Sequence, residues 1–158
     1  MTGTYALARA ALKAQLNGVT IAAPNAETLT AYEYAPGGRQ DAQTFPYCFP
    51  LPNGHTVTRE SGGDLVGRKN LIVRVMLAPR GGVEGGEGME TLHARYDAWC
   101  LALTTALDDA VALDGTVDIY GVDQQFGPLG LFDDIDAGWG MEITLGTMQW
   151  SSSASFTA

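Results

Sequence analysis

The longest periodic run of apolar residues in this 158-residue chain covers residues 89–111 and predicts an amphipathic helix. Large apolar residues recur there every three or four positions, which places them in one stripe of an α-helix. They are Leu92, Tyr96, Trp99, Leu103, Leu107 and Val111. Each large side chain that leaves water contributes about 1.5–3 kcal/mol, so a stripe of this size must be covered. We therefore expect the helix to pack on a flat partner.

Two extended segments flank this helix and are its expected cover. Residues 65–77 and 116–125 contain stretches in which residue type alternates, a pattern typical of β-strands with one buried face. Residues 139–150 alternate in the same way, and residues 5–16 form a shorter, alanine-rich helical pattern. The sequence thus predicts an α+β fold with a mainly antiparallel sheet and two helices packed on one of its faces.

Proline and glycine set the expected limits of the remaining segments. Residues 45–52 are extended but contain three prolines, and because proline has no N–H for a strand ladder we expect this segment to be a sheet edge or a lead-in to a strand. Residues 80–88 contain five glycines and predict a flexible loop. We place a second loop at residues 126–138 and expect a frayed tail at residues 151–158. Composition does not change along the chain, which predicts a single domain over residues 1–158.

Charge and cysteine content narrow the function classes. A net charge of -9 disfavours a surface that grips nucleic-acid phosphates, because such affinity is built from lysine and arginine. An acidic surface does allow DNA to pass without binding. The two cysteines, Cys48 and Cys100, are too few for a disulfide scaffold, so we expect free thiols.

No motif in the sequence predicts a catalytic site, and we expect no enzyme activity, metal or cofactor. Asp133, Asp134 and Asp136 offer carboxylates for a divalent cation but lack the spaced ligands of a calcium loop, which favours a solvated acidic loop. Cys48 and His55 lie within one predicted hairpin, without a third group to orient them. A small divalent-metal-dependent enzyme or a ligand-binding protein using the three aspartates remains the alternative from a different class.

The candidate contact residues are aromatic residues in proline-flanked segments and charged residues at loops or strand starts. Aromatic side chains of this kind are hard to bury within one small domain and are common at protein interfaces. We assign to a subunit or partner interface Arg39, Phe45, Tyr47, Arg68, Lys69, Arg74, Arg80, Glu84 and Glu87.

The order of these segments resembles that of a known protein family. The chain has a short helix ending in Asn-Gly-Val, a strand ending in Tyr-Glu-Tyr-Ala-Pro, a Phe-Pro-Tyr segment and a basic strand start, Arg-Lys-Asn-Leu-Ile-Val-Arg-Val. A long amphipathic helix and two closing strands follow, the last containing Trp-Gly-Met-Glu-Ile-Thr-Leu. In this order, which covers nearly the whole chain, the sequence resembles the tail terminator, or tail completion, proteins of long non-contractile-tailed bacteriophages.

The resemblance implies a structural virion protein at the head–tail junction, assembled in the host cytoplasm. Its members are small α+β subunits that form a ring, as a rule of six, which caps the tail tube, stops its growth and joins the head. The implied partners are further copies of the chain, the tail tube protein and the head–tail connector. DNA would pass through the channel without specific binding, and no membrane is involved. Residues 36–44, 60–67 and 80–88 would contact tube or connector. The alternatives within this class are another head–tail connector or a tail tube subunit.

Overall fold

The structure is a computed structural model that describes residues 4–34, 45–51, 56–59, 63, 65–79, 85–108, 118–129 and 138–151. Its helices are α1 (Thr4–Leu16) and α2 (Gly85–Asp108). Its strands are β1 (Thr20–Ile21), β2 (Glu27–Thr28), β3 (Thr30–Ala31), β4 (Tyr47–Pro50), β5 (Thr56–Arg59), β6 (Leu65–Pro79), β7 (Asp118–Leu129) and β8 (Gly138–Ser151). The predicted α+β class is confirmed.

The described strands form one large sheet and one small hairpin. The large sheet has the order β3-β4-β6-β8-β7, and β5 pairs with the first part of β6. All of its neighbouring strands are antiparallel except β3 and β4, which are parallel. β1 and β2 form a separate antiparallel pair. The prediction of a mainly antiparallel sheet is therefore confirmed.

Both helices pack on the same face of this sheet, as predicted. The helical residues buried there are Ala8, Leu12 and Leu16 of α1 and Leu92, Trp99, Leu103 and Leu107 of α2. The strand residues buried against them include Leu71, Val73, Val75 and Leu77 of β6 and Met141, Ile143 and Leu145 of β8. The expected stripe of α2 is thus buried as far as Leu107, and Val111 lies outside the described residues. The cover includes β8 because β8 lies between β6 and β7.

The helix α2 begins earlier than predicted. Its first residue is Gly85, so residues 85–88 are helical, whereas the sequence predicted a loop over residues 80–88. Each glycine weakens a helix by about 1 kcal/mol relative to alanine. Most helical stability in proteins comes from the packing of an apolar face, and that packing begins at the half-buried Met89. Residues 80–84 and 109–117 lie outside the described part.

The proline-containing strand β4 is not at the sheet edge, which corrects the prediction. It lies between β3 and β6, and all four of its residues are buried. Proline carbonyls still accept hydrogen bonds, and the Thr30 N–H donates to the Pro46 carbonyl at 3.2 Å. The Tyr32 N–H donates to the Cys48 carbonyl at 2.9 Å. The three residues between Pro46 and Pro50 keep their own N–H groups, which is enough for a strand this short.

Strand β7 also extends past its predicted end. It runs to Leu129, so residues 126–129 are part of the sheet, although a loop was predicted there. Pro128 is tolerated because β7 is the outermost strand, where one side of the backbone needs no strand partner. β8 agrees with its predicted bounds to within one residue at each end, and residues 152–158 of the predicted tail are not described.

Candidate assembly surfaces

The sheet face opposite the helices carries a small aromatic cluster. Tyr47, Phe49 and Met76 are fully buried in it. The partly buried residues packed against them are Tyr32, Phe45 and Leu51. The centroid of the Tyr47 ring lies 5.3 Å from that of Phe45 and 6.1 Å from that of Phe49. Tyr47 was predicted as an interface residue, and its complete burial within the subunit corrects that assignment. Alternation along β4 directs Tyr47 and Phe49 to this face and Cys48 to the helix face.

Beside this cluster, Arg74 forms an ion pair with Glu142. The two residues lie directly opposite each other in β6 and β8, and Arg74 Nη2 donates to Glu142 Oε1. Their side chains are 15% and 30% exposed. Arg74 was predicted as an interface residue, and in this structure its guanidinium is paired with an acidic residue of its own chain. The sequence alone did not reveal this pairing because it depends on the register of two strands far apart in the chain.

A second feature that the sequence did not predict is a stack of two tyrosines around an arginine. The guanidinium carbon of Arg9 lies 4.8 Å from the Tyr5 ring centroid and 4.7 Å from that of Tyr34. The Tyr5 hydroxyl donates to the Leu51 carbonyl at 2.9 Å. Burial raises the pKa of Tyr5, and the Arg9 charge opposes that rise. The Tyr34 ring is 62% exposed, so this stack brings an aromatic surface and a cation together outside the core.

A polar network ties the small hairpin to α2. The Trp99 indole Nε1 donates to Glu27 Oε1 at 2.9 Å, and Arg95 Nη2 lies 2.8 Å from Glu27 Oε2. Arg95 Nη2 also donates to the Leu77 carbonyl at 2.6 Å. A buried tryptophan N–H needs a hydrogen-bond acceptor. The expected burial of Trp99 was therefore the one feature of the sequence that indicated a polar partner such as Glu27. The network explains why Arg95 lies at the edge of the helix stripe, and its role is structural.

One end of the large sheet is formed by β5, residues 65–70 of β6 and residues 146–151 of β8, and we call this region the arm. Where exposure is described in the arm, Thr58, Arg59 and Leu65 are exposed, Leu65 by 38%, and Gly67 is buried. Arg59 Nη1 donates to the Gly63 carbonyl at 2.6 Å, which closes the connection between β5 and β6.

The backbone register sets the residue pairs within the arm. Arg59 lies opposite Leu65, and Lys69 lies opposite Met148. The predicted contact residues Arg68 and Lys69 both lie in the arm, where the structure describes their backbone and not their side chains.

The outer face of α2 is a second exposed surface. Glu90, Asp97, Leu101 and Asp108 are all exposed, and Leu101 is exposed by 72%. Steps of seven and eleven residues return to the same side of an α-helix, so these four residues form one line opposite the buried stripe. We call this line the outer stripe of α2. It combines carboxylates with one large apolar side chain.

The other predicted residues lie outside the parts of the chain whose side chains are described. These are Arg39, Arg80, Glu84, Asp133, Asp134 and Asp136, and Glu87 is described only as a backbone position in the first turn of α2. Among the described residues, no group of three histidine, cysteine, aspartate or glutamate residues is arranged to hold a metal ion. No described helix is long and apolar enough to span a membrane.

The cysteine considered as a nucleophile is a buried core residue. Cys48 is 1% exposed, and burial raises the pKa of its thiol to about 12. A thiol with this pKa stays protonated at neutral pH, and the thiolate is the nucleophilic form. His55, the proposed base, lies outside the described residues. Cys48 and Cys100 are both free, as expected.

Comparison with known proteins adds no relative to these observations. No protein-family model matches the chain, and no curated protein matches it at a significant level. A functional assignment therefore rests on the fold, on the charge of the chain and on the order of its segments.

Proposed function

We propose that this chain is a structural virion protein that forms a closed ring at the end of a phage tail tube, where it stops tube growth and provides the surface for joining the head. The observation that carries the proposal is the two-layer arrangement, with both helices on one face of a mainly antiparallel sheet. Many functions share a fold class, so the layers alone do not specify one. The two layers support the proposed function because they occur together with an order of segments that resembles that of the tail terminators.

Charge supports the same proposal. The chain carries a net charge of -9, and a ring through which DNA passes should repel phosphates instead of retaining them. Contacts between copies of so acidic a chain are favoured where basic residues lie, because two acidic surfaces repel each other. The arm strands contain three basic residues, and the connection between β5 and β6 contributes Glu60 and Asp64.

The experiment is to measure the native mass of the purified chain over a wide concentration range, with and without magnesium. A closed ring of six 16.7-kDa subunits has a mass of about 100 kDa, and its mass should stay constant as concentration rises. Negative-stain electron microscopy of the same samples should show rings with a central opening.

Two outcomes would contradict the proposal. Polymers that lengthen with concentration would indicate a tube subunit, since a terminator must stop at one ring. A strict monomer under every condition would contradict ring formation by the isolated chain. Magnesium-dependent changes in mass that disappear in the Asp134→Asn and Asp136→Asn variant would instead favour a metal-binding protein.

A further inference from the structure

We propose that the outer face of α1 of one copy packs on the outer stripe of α2 of a second copy. The outer face of α1 is defined by four exposed residues, which are Leu7, Ala10, Lys13 and Ala14. Steps of three, four and seven residues keep them on one side of the helix. This inference rests on the proposed ring and names the contact that joins its subunits. The two surfaces differ, so the contact is head-to-tail and repeats from copy to copy until the ring closes.

The outer face of α1 is apolar apart from its one lysine. Leu7 is 47% exposed, whereas Leu12 on the opposite side of the helix is buried. Ala10 and Ala14 are exposed as well, and side chains this small let a second helix approach closely. In the outer stripe of α2, Leu101 is 72% exposed. Each surface therefore offers an exposed leucine to the other, and contact between them removes both from water.

The charge of the N-terminal part is opposite to that of the chain as a whole. The first 26 residues contain two basic residues, Arg9 and Lys13, and no acidic residue, in a chain with a net charge of -9. The first carboxylate in the sequence, that of Glu27, is paired with Arg95 of α2. The surface of α1 is therefore a basic region of an acidic subunit.

The outer stripe of α2 has the complementary charge. Its exposed carboxylates are those of Glu90, Asp97 and Asp108. In the described part of the chain, no ion pair joins Lys13 to these carboxylates. Apolar contact surrounded by complementary charge is typical of protein interfaces and fixes which surface meets which. Two α1 faces, or two α2 stripes, would bring like charges together, so the charges favour α1 of one copy on α2 of the next.

The positions and lengths of the helices suit this contact. α1 contacts β3, at one edge of the large sheet, and α2 contacts β7, at the other edge. A surface toward each edge allows each copy to contact two neighbours. The stripe from Glu90 to Asp108 is about 27 Å long, and the 13 residues of α1 span about 20 Å. The whole outer face of α1 can therefore lie along the stripe.

The test exchanges charge between the two surfaces of the full chain. The α1 variant is Ala10→Glu with Lys13→Glu, and the α2 variant is Ala94→Lys with Asp97→Lys. All four positions are exposed, and the two positions in each variant lie three residues apart on one helix. The two sets of changes cancel, so a chain with all four substitutions has the wild-type net charge of -9.

The control variant is Ala22→Glu with Arg59→Glu. It changes the net charge by the same amount as the α1 variant, at exposed positions outside both helices. It therefore separates loss of this contact from general repulsion between more acidic subunits. Circular dichroism checks that every variant is folded, and native mass is measured over a wide concentration range.

We expect the α1 variant and the α2 variant each to need at least about tenfold more protein to form the ring, because like charges then face each other. The control should form it at the wild-type concentration. An equimolar mixture of the two variants should form a ring in which they alternate, since the altered α1 face matches the altered stripe and the two unaltered surfaces match as well. The chain with all four substitutions should form the ring by itself.

Two results would overturn this contact and leave the proposed function standing. They are a wild-type ring that forms equally well in the α1 variant, and a folded mixture of the two variants that stays monomeric where the wild-type chain forms a ring. A wild-type dimer in place of the ring, lost in each variant and restored in the mixture, would support the contact and overturn the ring. A wild-type chain that is monomeric at every concentration would overturn both.

Discussion

The two parts of strand β6 lie in opposite environments although they form one continuous strand. Val73 and Val75, in the helix-covered part, are fully buried, whereas Leu65 in the arm is 38% exposed. Apolar burial supplies most of the stability of a domain, so the covered part holds the fold together. Of the arm residues whose exposure is described, Thr58, Arg59 and Leu65 are exposed and Gly67 is buried. The comparison teaches that substitutions in the two parts should lower stability by different amounts.

The largest expected effect is at the centre of the helix-covered part. Trp99→Ala removes a fully buried side chain and the hydrogen bond to Glu27, and should lower the free energy of unfolding by about 3–5 kcal/mol. Urea denaturation followed by circular dichroism measures this loss. The matched control is Leu101→Ala, on the exposed side of the same helix. Equal losses in the two variants would contradict the described packing of α2.

A second substitution tests how closely β6 and β8 approach within the covered part. A Cβ atom added at Gly140 would lie 2.1 Å from the Val75 carbonyl oxygen, a backbone atom that has no rotamer through which to move aside. Gly140→Ala should therefore lower the free energy of unfolding by about 1–3 kcal/mol. Thr144→Ala, at a half-buried position of the same strand, is the control. A neutral Gly140→Ala would show that the two strands are further apart.

The covered core also predicts a pH dependence. The Cys48 thiol ionises near pH 9 when the chain is unfolded, but burial raises its folded pKa to about 12. Above pH 9 the unfolded chain therefore binds fewer protons, and the free energy of unfolding should fall by up to about 1.4 kcal/mol per pH unit. The stability contribution is complete below pH 9. Cys48→Ala should show a shallower decline in urea melts between pH 8.5 and 10, and parallel declines would place Cys48 at the surface.

The smallest expected effect on stability is in the arm. Leu65→Ala should lower the free energy of unfolding by about 1 kcal/mol, less than the loss of a fully buried side chain, because Leu65 is still 38% exposed to water in the folded state. Urea melts at a concentration below assembly measure this change. A large loss of monomer stability would show that Leu65 belongs to the core, and it would contradict the distinction between the two parts of β6.

Most of the fold could be predicted from local patterns, and the errors have a common physical origin. The stripe of α2 and the alternation of β8 were predictable because one buried face imposes a period on the sequence. The interior position of β4 and the length of β7 were not, since each depends on which strand lies alongside. The start of α2 was also missed, because helix packing outweighed the low propensity of its glycines.

The candidate site was less predictable than the fold. Lys69 and Arg68 were expected at an interface and lie in the arm, whereas the expected contact residue Tyr47 is buried. The outer stripe of α2 was predictable as a polar helix face, and its four residues are exposed in the structure. The partner of Arg74 is 68 residues away in the chain, and no local pattern reports a pairing over that distance.

The sequence by itself determined the period of each element, the net charge of -9 and the absence of recognisable catalytic motifs, because these depend on residue type and spacing alone. Tertiary structure decided which strands are neighbours, which aromatic residues are buried and which charges are paired. These features depend on contacts between residues far apart in the chain, where the free energy of packing selects one register among many.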